Sequence, residues 1–206
     1  MKLIKPSYEI LSETDNFLKK IEVAGRLCYK SEDKITDDSA EKFVAMLLKR
    51  GHEAMIEHAP SISVKFIANR GFTHEIVRMR LASFAQESSR YCDYSNDRFD
   101  GQVTFCLPKY VDNNSIATSL MKRSWERSEN EYLDLVSNKV SPQIARDILP
   151  IGVKAEIIVT ANVREWRHIL KLRTADAAHP IMHELMRPLC KELQEKIPVL
   201  FDDINW

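Results

Sequence analysis

Two runs of alternating residues, SISVKFIANR (61–70) and VKAEIIVTAN (153–162), constrain this chain more than any other feature. Alternation with a period of two turns one face of a strand inward and the other outward. Each run passes directly into a helical pattern, GFTHEIVRMR after the first and VREWRHILKLR after the second. Longer segments with helical spacing surround them. Thr14 or Asp15 can cap a helix running to about Tyr29, with Phe17, Leu18, Ile21 and Ala24 on one face. Ser39 opens a second, with Phe43, Met46 and Leu47 inward and Gly51 at its end. Residues 115–138 predict a long amphipathic helix packing through Leu120, Trp125, Tyr132, Leu133 and Val136. Ser141 and Pro142 open a short helix closed by Pro150, and Pro180 starts a last one to about Lys196. Weak alternation over residues 1–11 suggests an edge strand, and the run QVTFCLP (102–108) reads as another strand, stopped by Pro108. The expected fold is α+β: a single helix-rich domain over residues 1–206 with a modest mixed or antiparallel sheet.

Charge narrows the function. Thirty Lys and Arg balance thirty Asp and Glu, so no whole-protein field draws the chain to nucleic acid or an anionic membrane. Five glycines against eight prolines, with no G-x-G-x-x-G and no G-K-[ST], leave any nucleotide to be held by side chains. Cys28, Cys92, Cys106 and Cys190 form no C-x-x-C pair, and no leader or membrane-length run is evident. The expectation is a cytoplasmic protein with reduced thiols and no disulfide framework.

The stretch VRMRLASFAQESSRY (77–91) sets Arg78, Arg80 and Arg90 among Ser83, Ser88 and Ser89. Guanidinium forks beside hydroxyls suit an anion. A second set of arginines, Arg146, Arg164, Arg167 and Arg173, follows late in the chain, where Glu156, Glu165 and Asp176 are available as partners. Two such sets in a neutral chain favour a pocket for a phosphorylated or carboxylated ligand. In GHEAMIEH (51–58) the histidines are six apart, which fits neither H-E-x-x-H nor its inverse. His179 and His183 are four apart but lack a third ligand, so no metal site is expected. Cys92 has no neighbour that would activate it as a nucleophile. The residues alone therefore point to a ligand-binding protein without naming its reaction; gripping nucleic acid through the arginines is the rival reading.

Arg78, Arg80 and, seven residues on, Ser88 form R-x-R-x7-S, which resembles the R-H-R-x7-S signature of the flavin-dependent thymidylate synthases. GHEAMIEH resembles the family's G-H-x-x-x-x-E-H, ESSRYCDY its S-x-R-Y continuation, ARDILP (145–150) its A-R-x-x-L-P, and NVREWRHILKLR (162–173) its later arginine region. These segments stand in family order over residues 51–188. Met79 occupies the motif histidine's place, Glu75 stands where many members have glutamine, and Gln86 where many have glutamate. TADAAHPIMHELMRP resembles a variant branch of the family.

The resemblance implies conversion of dUMP to dTMP, with methylenetetrahydrofolate as carbon donor and NADPH-reduced FAD as hydride source, without a cysteine nucleophile. It implies a homotetramer with sites shared between subunits. By position, Glu75, Arg78, Glu87, Ser88, Ser89, Arg90, Arg146 and Arg173 would bind dUMP. Arg173 would also be catalytic, stabilising charge on the uracil ring. His52, Arg78, Met79, Arg80, Gln86, Asn162, Arg164 and His168 would contact FAD. With Met79 in the motif, an inactive flavin- or nucleotide-binding homologue is the other reading.

Overall fold

The computed structural model describes residues 1–12 and 14–206. Strands β1 (Lys2–Ile4) and β2 (Ser7–Ile10) lie to either side of Lys5-Pro6, so the expected edge strand is two strands. Proline has no N–H to donate to a ladder, which accounts for the break. Helices α1 (Phe17–Tyr29) and α2 (Ser39–Lys49) follow, then β3 (Ile62–Asn69), α3 (Arg70–Ile76) and β4 (Ser83–Gln86). Next come β5 (Thr104–Cys106), α4 (Lys109–Asp112), α5 (Ser115–Ser137), α6 (Pro142–Ala145) and β6 (Lys154–Ala161). Helices α7 (Val163–Arg173), α8 (Pro180–Lys196) and α9 (Pro198–Phe201) complete the chain. Two-stranded β1-β5 is parallel, and a four-stranded sheet has the order β2-β3-β6-β4. The fold is α+β and helix-rich, as expected.

Several ends differ from the expectation. Helix α1 starts after Asn16, held in the left-handed region, with no side-chain cap, so neither Thr14 nor Asp15 caps it. Its buried residues are Phe17, Ile21, Glu22 and Gly25, leaving Leu18 and Ala24 partly exposed. Leu120 on α5 is exposed, while Trp125 and Tyr132 carry the packing. Ser141 makes no capping hydrogen bond. Helix α3 stops at Ile76, placing Arg78 and Arg80 in the turn beyond it rather than on its last turn.

The chain divides into two compact units, each assembled from separate segments. The first comprises Met1–Tyr8, Lys65–Arg78 and Phe84–Ile158; the second comprises Glu9–Val64, Met79–Ser83 and Val159–Trp206. In the first, Phe105 stacks on Trp125 with ring centroids 5.2 Å apart, within a core that includes Tyr94, Val103, Leu107 and Tyr132. In the second, Trp166 is fully buried and its Nε1 donates to the Ile62 carbonyl at 2.8 Å. Phe43 and Leu47 of α2 pack there on α1, where Gly25 is needed: an added Cβ would lie 2.5 Å from the Phe43 ring. Burying each such side chain stabilises the fold by roughly 1.5–3 kcal/mol. Among the described residues, no helix is long and apolar enough to cross a membrane.

Candidate functional site

Within the first unit, Pro142 starts α6, and a tight turn over Arg146–Ile148 carries it towards Pro150. That turn presents Arg146, whose Nη1 donates to Ser89 Oγ at 3.3 Å across 57 residues of chain. The two line a cavity of about 410 Å³ with Arg70, His74, Asp147 and Leu149. Arg70 Nη2 donates to the Glu87 carbonyl at 3.3 Å. Among the described residues Arg146 has only a loose carboxylate neighbour, Asp147, at 3.9 Å, and that side chain is largely in solvent. Positive charge with a hydroxyl in a concave site is an arrangement for an anion. Ser89 and Arg146 were expected together on sequence grounds. Arg70 and His74 were missed; their spacing of four residues puts them on one face of α3, but the start of that helix had to be known first.

The neighbours of Ser89 in the arginine–serine stretch go elsewhere. The Glu87 carboxylate accepts from Lys154 Nζ at 2.7 Å and from the Tyr94 hydroxyl at 3.4 Å. Lys154 also reaches Glu156 at 3.0 Å, and Lys65 pairs with Glu156 at 2.6 Å. This charge chain lines a larger cavity, about 770 Å³, that does not include Ser89 or Arg146. Burial by itself would lower the Lys154 pKa, but its bonds to Glu87 and Glu156 raise it above the ordinary lysine value. The Lys65 hydrogen bond holds Glu156 below the usual carboxylate range. Burial, and then the Glu87 charge, push the Cys92 thiol up. Gln86 Nε2 donates to Thr73 Oγ1 at 3.2 Å. Ser88 Oγ accepts from the Arg90 amide at 3.4 Å, while the Arg90 guanidinium lies 5.5 Å from the Tyr91 ring centroid in an exposed turn. Arg78 is exposed without an ion pair among the described residues, and Glu75 is half-buried.

The second unit holds most of the residues expected to face a flavin. His52 Nδ1 and the Tyr29 hydroxyl are 2.9 Å apart. Arg164 Nη1 donates to Glu57 at 2.6 Å, with Glu53 at 3.7 Å from Nε, and His168 lies one turn further along the same exposed face of α7. Asn162 caps α7, its Oδ1 accepting from the Glu165 amide at 2.8 Å. Its amide N–H pair has no hydrogen-bond partner among the described residues. Arg80 is exposed and forms no ion pair among the described residues, whereas Met79 is only 7% exposed. Exposed Arg80 and His168 and the free amide of Asn162 suit an anionic, hydrogen-bonding cofactor. Arg164 would have to exchange its carboxylates for one. Arg173, the last residue of α7, is half-buried. Arg167 is structural: its guanidinium grips both Asp203 oxygens at 2.6 and 2.7 Å and the Leu200 carbonyl. Arg164 and Arg167 thus pair with Glu53, Glu57 and Asp203 rather than with Glu156, Glu165 and Asp176. Among the described residues, no three His, Cys, Asp or Glu side chains cluster to hold a metal ion.

Comparison with known proteins agrees with the motif order. Residues 9–199 match the family described as thymidylate synthase complementing protein. The chain is 31% identical over 202 residues to a flavin-dependent thymidylate synthase of Corynebacterium aurimucosum, covering 90% of this chain and 79% of that protein. It is 29% identical over 193 residues to one from Pyrococcus furiosus, covering 94% and 76% respectively. In structure it resembles a UMP/dUMP methylase, PolB of Streptomyces cacaoi, solved with 5-Br dUMP. The TM-score is 0.81 at 22% identity, covering 98% of this chain and 96% of that one. Motifs, fold and sequence likeness over nearly the whole chain agree: it belongs to the thymidylate synthase complementing protein family.

Proposed function

We propose that this chain methylates dUMP to dTMP, with methylenetetrahydrofolate as carbon donor and FAD, reduced by NADPH, as hydride source. The observation that carries this reading is the cavity that brings Ser89 of the motif against Arg146, with Arg70 beside them. Such a pocket fits a nucleotide monophosphate, and the relatives named above are flavin-dependent thymidylate synthases. Arg70, Arg146 and Ser89 hold the phosphate, and Ser88 and Arg90 border it. Arg173 stabilises negative charge developing on the uracil ring. Bound FAD supplies the hydride that completes the methyl group. Arg78, Arg80, Asn162, Arg164, His52 and His168 hold and orient it. Cys92 is no nucleophile, since burial and the adjacent carboxylate keep its thiol protonated. The working form is a cytoplasmic homotetramer with sites shared between subunits.

Purified protein incubated with FAD, dUMP, methylenetetrahydrofolate and NADPH should form dTMP, and should show a flavin absorption spectrum. A folded, flavin-bound protein that makes no dTMP would overturn the reading.

A further inference from the structure

We infer that Tyr29 is a positioning residue for His52: its hydroxyl donates to Nδ1, which leaves Nε2–H as the donor that His52 offers to the flavin. This rests on the flavin reading above. Both side chains start from fixed backbone. Tyr29 ends α1, which is closed by the Lys30 amide on the Leu27 carbonyl at 3.2 Å and the Ser31 amide on the Arg26 carbonyl at 3.1 Å. Gly51, at φ 72°, turns the chain out of α2, and the His52 amide donates to the Leu47 carbonyl at 2.9 Å. Tyr29 Oη then lies 2.9 Å from His52 Nδ1. The ring planes are within 16° of parallel and their centroids are 6.4 Å apart, so the hydroxyl meets the edge of the imidazole, where the nitrogen lone pair lies.

A neutral imidazole has one N–H and one acceptor nitrogen, and the bond made at one nitrogen sets which form is present. The Tyr29 hydroxyl has no other acceptor among the described residues, and His52 Nε2 has no partner there. With the hydroxyl proton on Nδ1, the tyrosine donor is used and the imidazole N–H stands on the free side of an exposed ring. The reverse tautomer strands the hydroxyl proton and turns a bare lone pair outward. The edge of an isoalloxazine is mostly acceptors, two carbonyl oxygens and two ring nitrogens, so the Nε2–H form is the one that bonds to it. The turn Glu53–His58, which follows His52 directly, carries Glu53 and Glu57 to Arg164, so one short piece of chain serves two residues assigned to the flavin.

Nitrogen NMR of the full chain carrying ¹⁵N-histidine, without FAD and at about pH 8, where an ordinary imidazole is neutral, reads the tautomer directly. The signals missing from His52→Phe identify His52. They should show Nδ1 as the acceptor nitrogen and Nε2 as the protonated one. In Tyr29→Phe, which keeps the ring and loses the hydroxyl, the two His52 signals should move towards each other as the tautomers mix, with the other histidines unchanged. Flavin fluorescence titration should show Tyr29→Phe binding FAD about 3- to 10-fold more weakly, the scale of one hydrogen bond. In the His52→Phe background, Tyr29→Phe should cost nothing further. A proton on Nδ1, His52 signals that ignore Tyr29→Phe, or an affinity loss that persists without His52, as a merely structural role would give, would each overturn the assignment. If the tautomer answers to Tyr29 but wild type binds no FAD, the pair stands and the flavin reading falls. Should Tyr29→Phe not fold, the wild-type signals decide alone: an acceptor Nδ1 upholds the assignment and a protonated one overturns it.

Discussion

Lys154 Nζ lies 2.7 Å from a Glu87 carboxylate oxygen, and the two side chains are only 13% and 11% exposed. This pair draws Glu87 away from the serines that follow it in sequence. Removing the lysine leaves a largely buried carboxylate with only the Tyr94 hydroxyl as a partner among the described residues. Lys154→Met should therefore destabilise the protein by about 2–3 kcal/mol, less than for a fully buried pair because some water still reaches it. Urea denaturation measures this, and adding Glu87→Gln should recover a substantial part of the loss.

Acid should weaken the same chain of charges through Glu156. Its folded-state pKa is depressed, first by the Lys65 hydrogen bond, so its stabilisation is present above the unfolded carboxylate value. That contribution is lost as pH falls through the folded value, in the region below about pH 4.5. Glu156→Gln should be less stable than wild type at pH 7, and the gap should narrow on acidification. Thermal melts across pH 3–7 would show it; a gap that widens in acid would contradict the assignment. Lys154 adds nothing to this window, because a raised lysine pKa is felt only as pH climbs above the ordinary lysine range.

Cys92→Ala should retain most activity. The thiol is held protonated by burial and by Glu87, which is the opposite of an activated nucleophile. Loss of turnover with the fold and flavin binding intact would count against the flavin-type mechanism.

Met79 is nearly buried, so a histidine there faces the interior of its unit rather than a ligand. Met79→His should change FAD affinity by no more than about tenfold, near 1.4 kcal/mol. It should lower stability by roughly 1–3 kcal/mol if the imidazole finds no partner. Flavin fluorescence titration and thermal melts separate the two effects.

Arg173→Ala and Arg90→Ala should fail in different ways. Arg90 sits in the exposed turn after Ser88 and Ser89, and its loss should raise the KM for dUMP with little change in kcat. Arg173 is assigned to charge developing on the ring, and its loss should lower kcat by about 2–4 kcal/mol in barrier. Identical kinetic signatures would defeat the division of roles.

Local chemistry made much of the architecture legible. Pro180 at a first helical position marked the start of α8 at Pro180, and the period-two runs located β3 and β6 to within a residue or two. Such signals depend on neighbours along the chain, so a sequence carries them by itself. The ordered arginine, serine and histidine motifs likewise identified the family. Strand β4 escaped notice because four residues inside a polar, arginine-rich stretch have too little alternation; its place beside β6 supplies what the residues lack. The partners inside the candidate site were decided by the tertiary structure. Glu87 and Ser89 are two residues apart, yet one meets Lys154 and the other Arg146, and Arg70 reaches the Glu87 carbonyl from another element. A side chain's type limits what it can bond. Which group it meets is set by chain segments 17 to 67 residues away, and no local pattern records that distance.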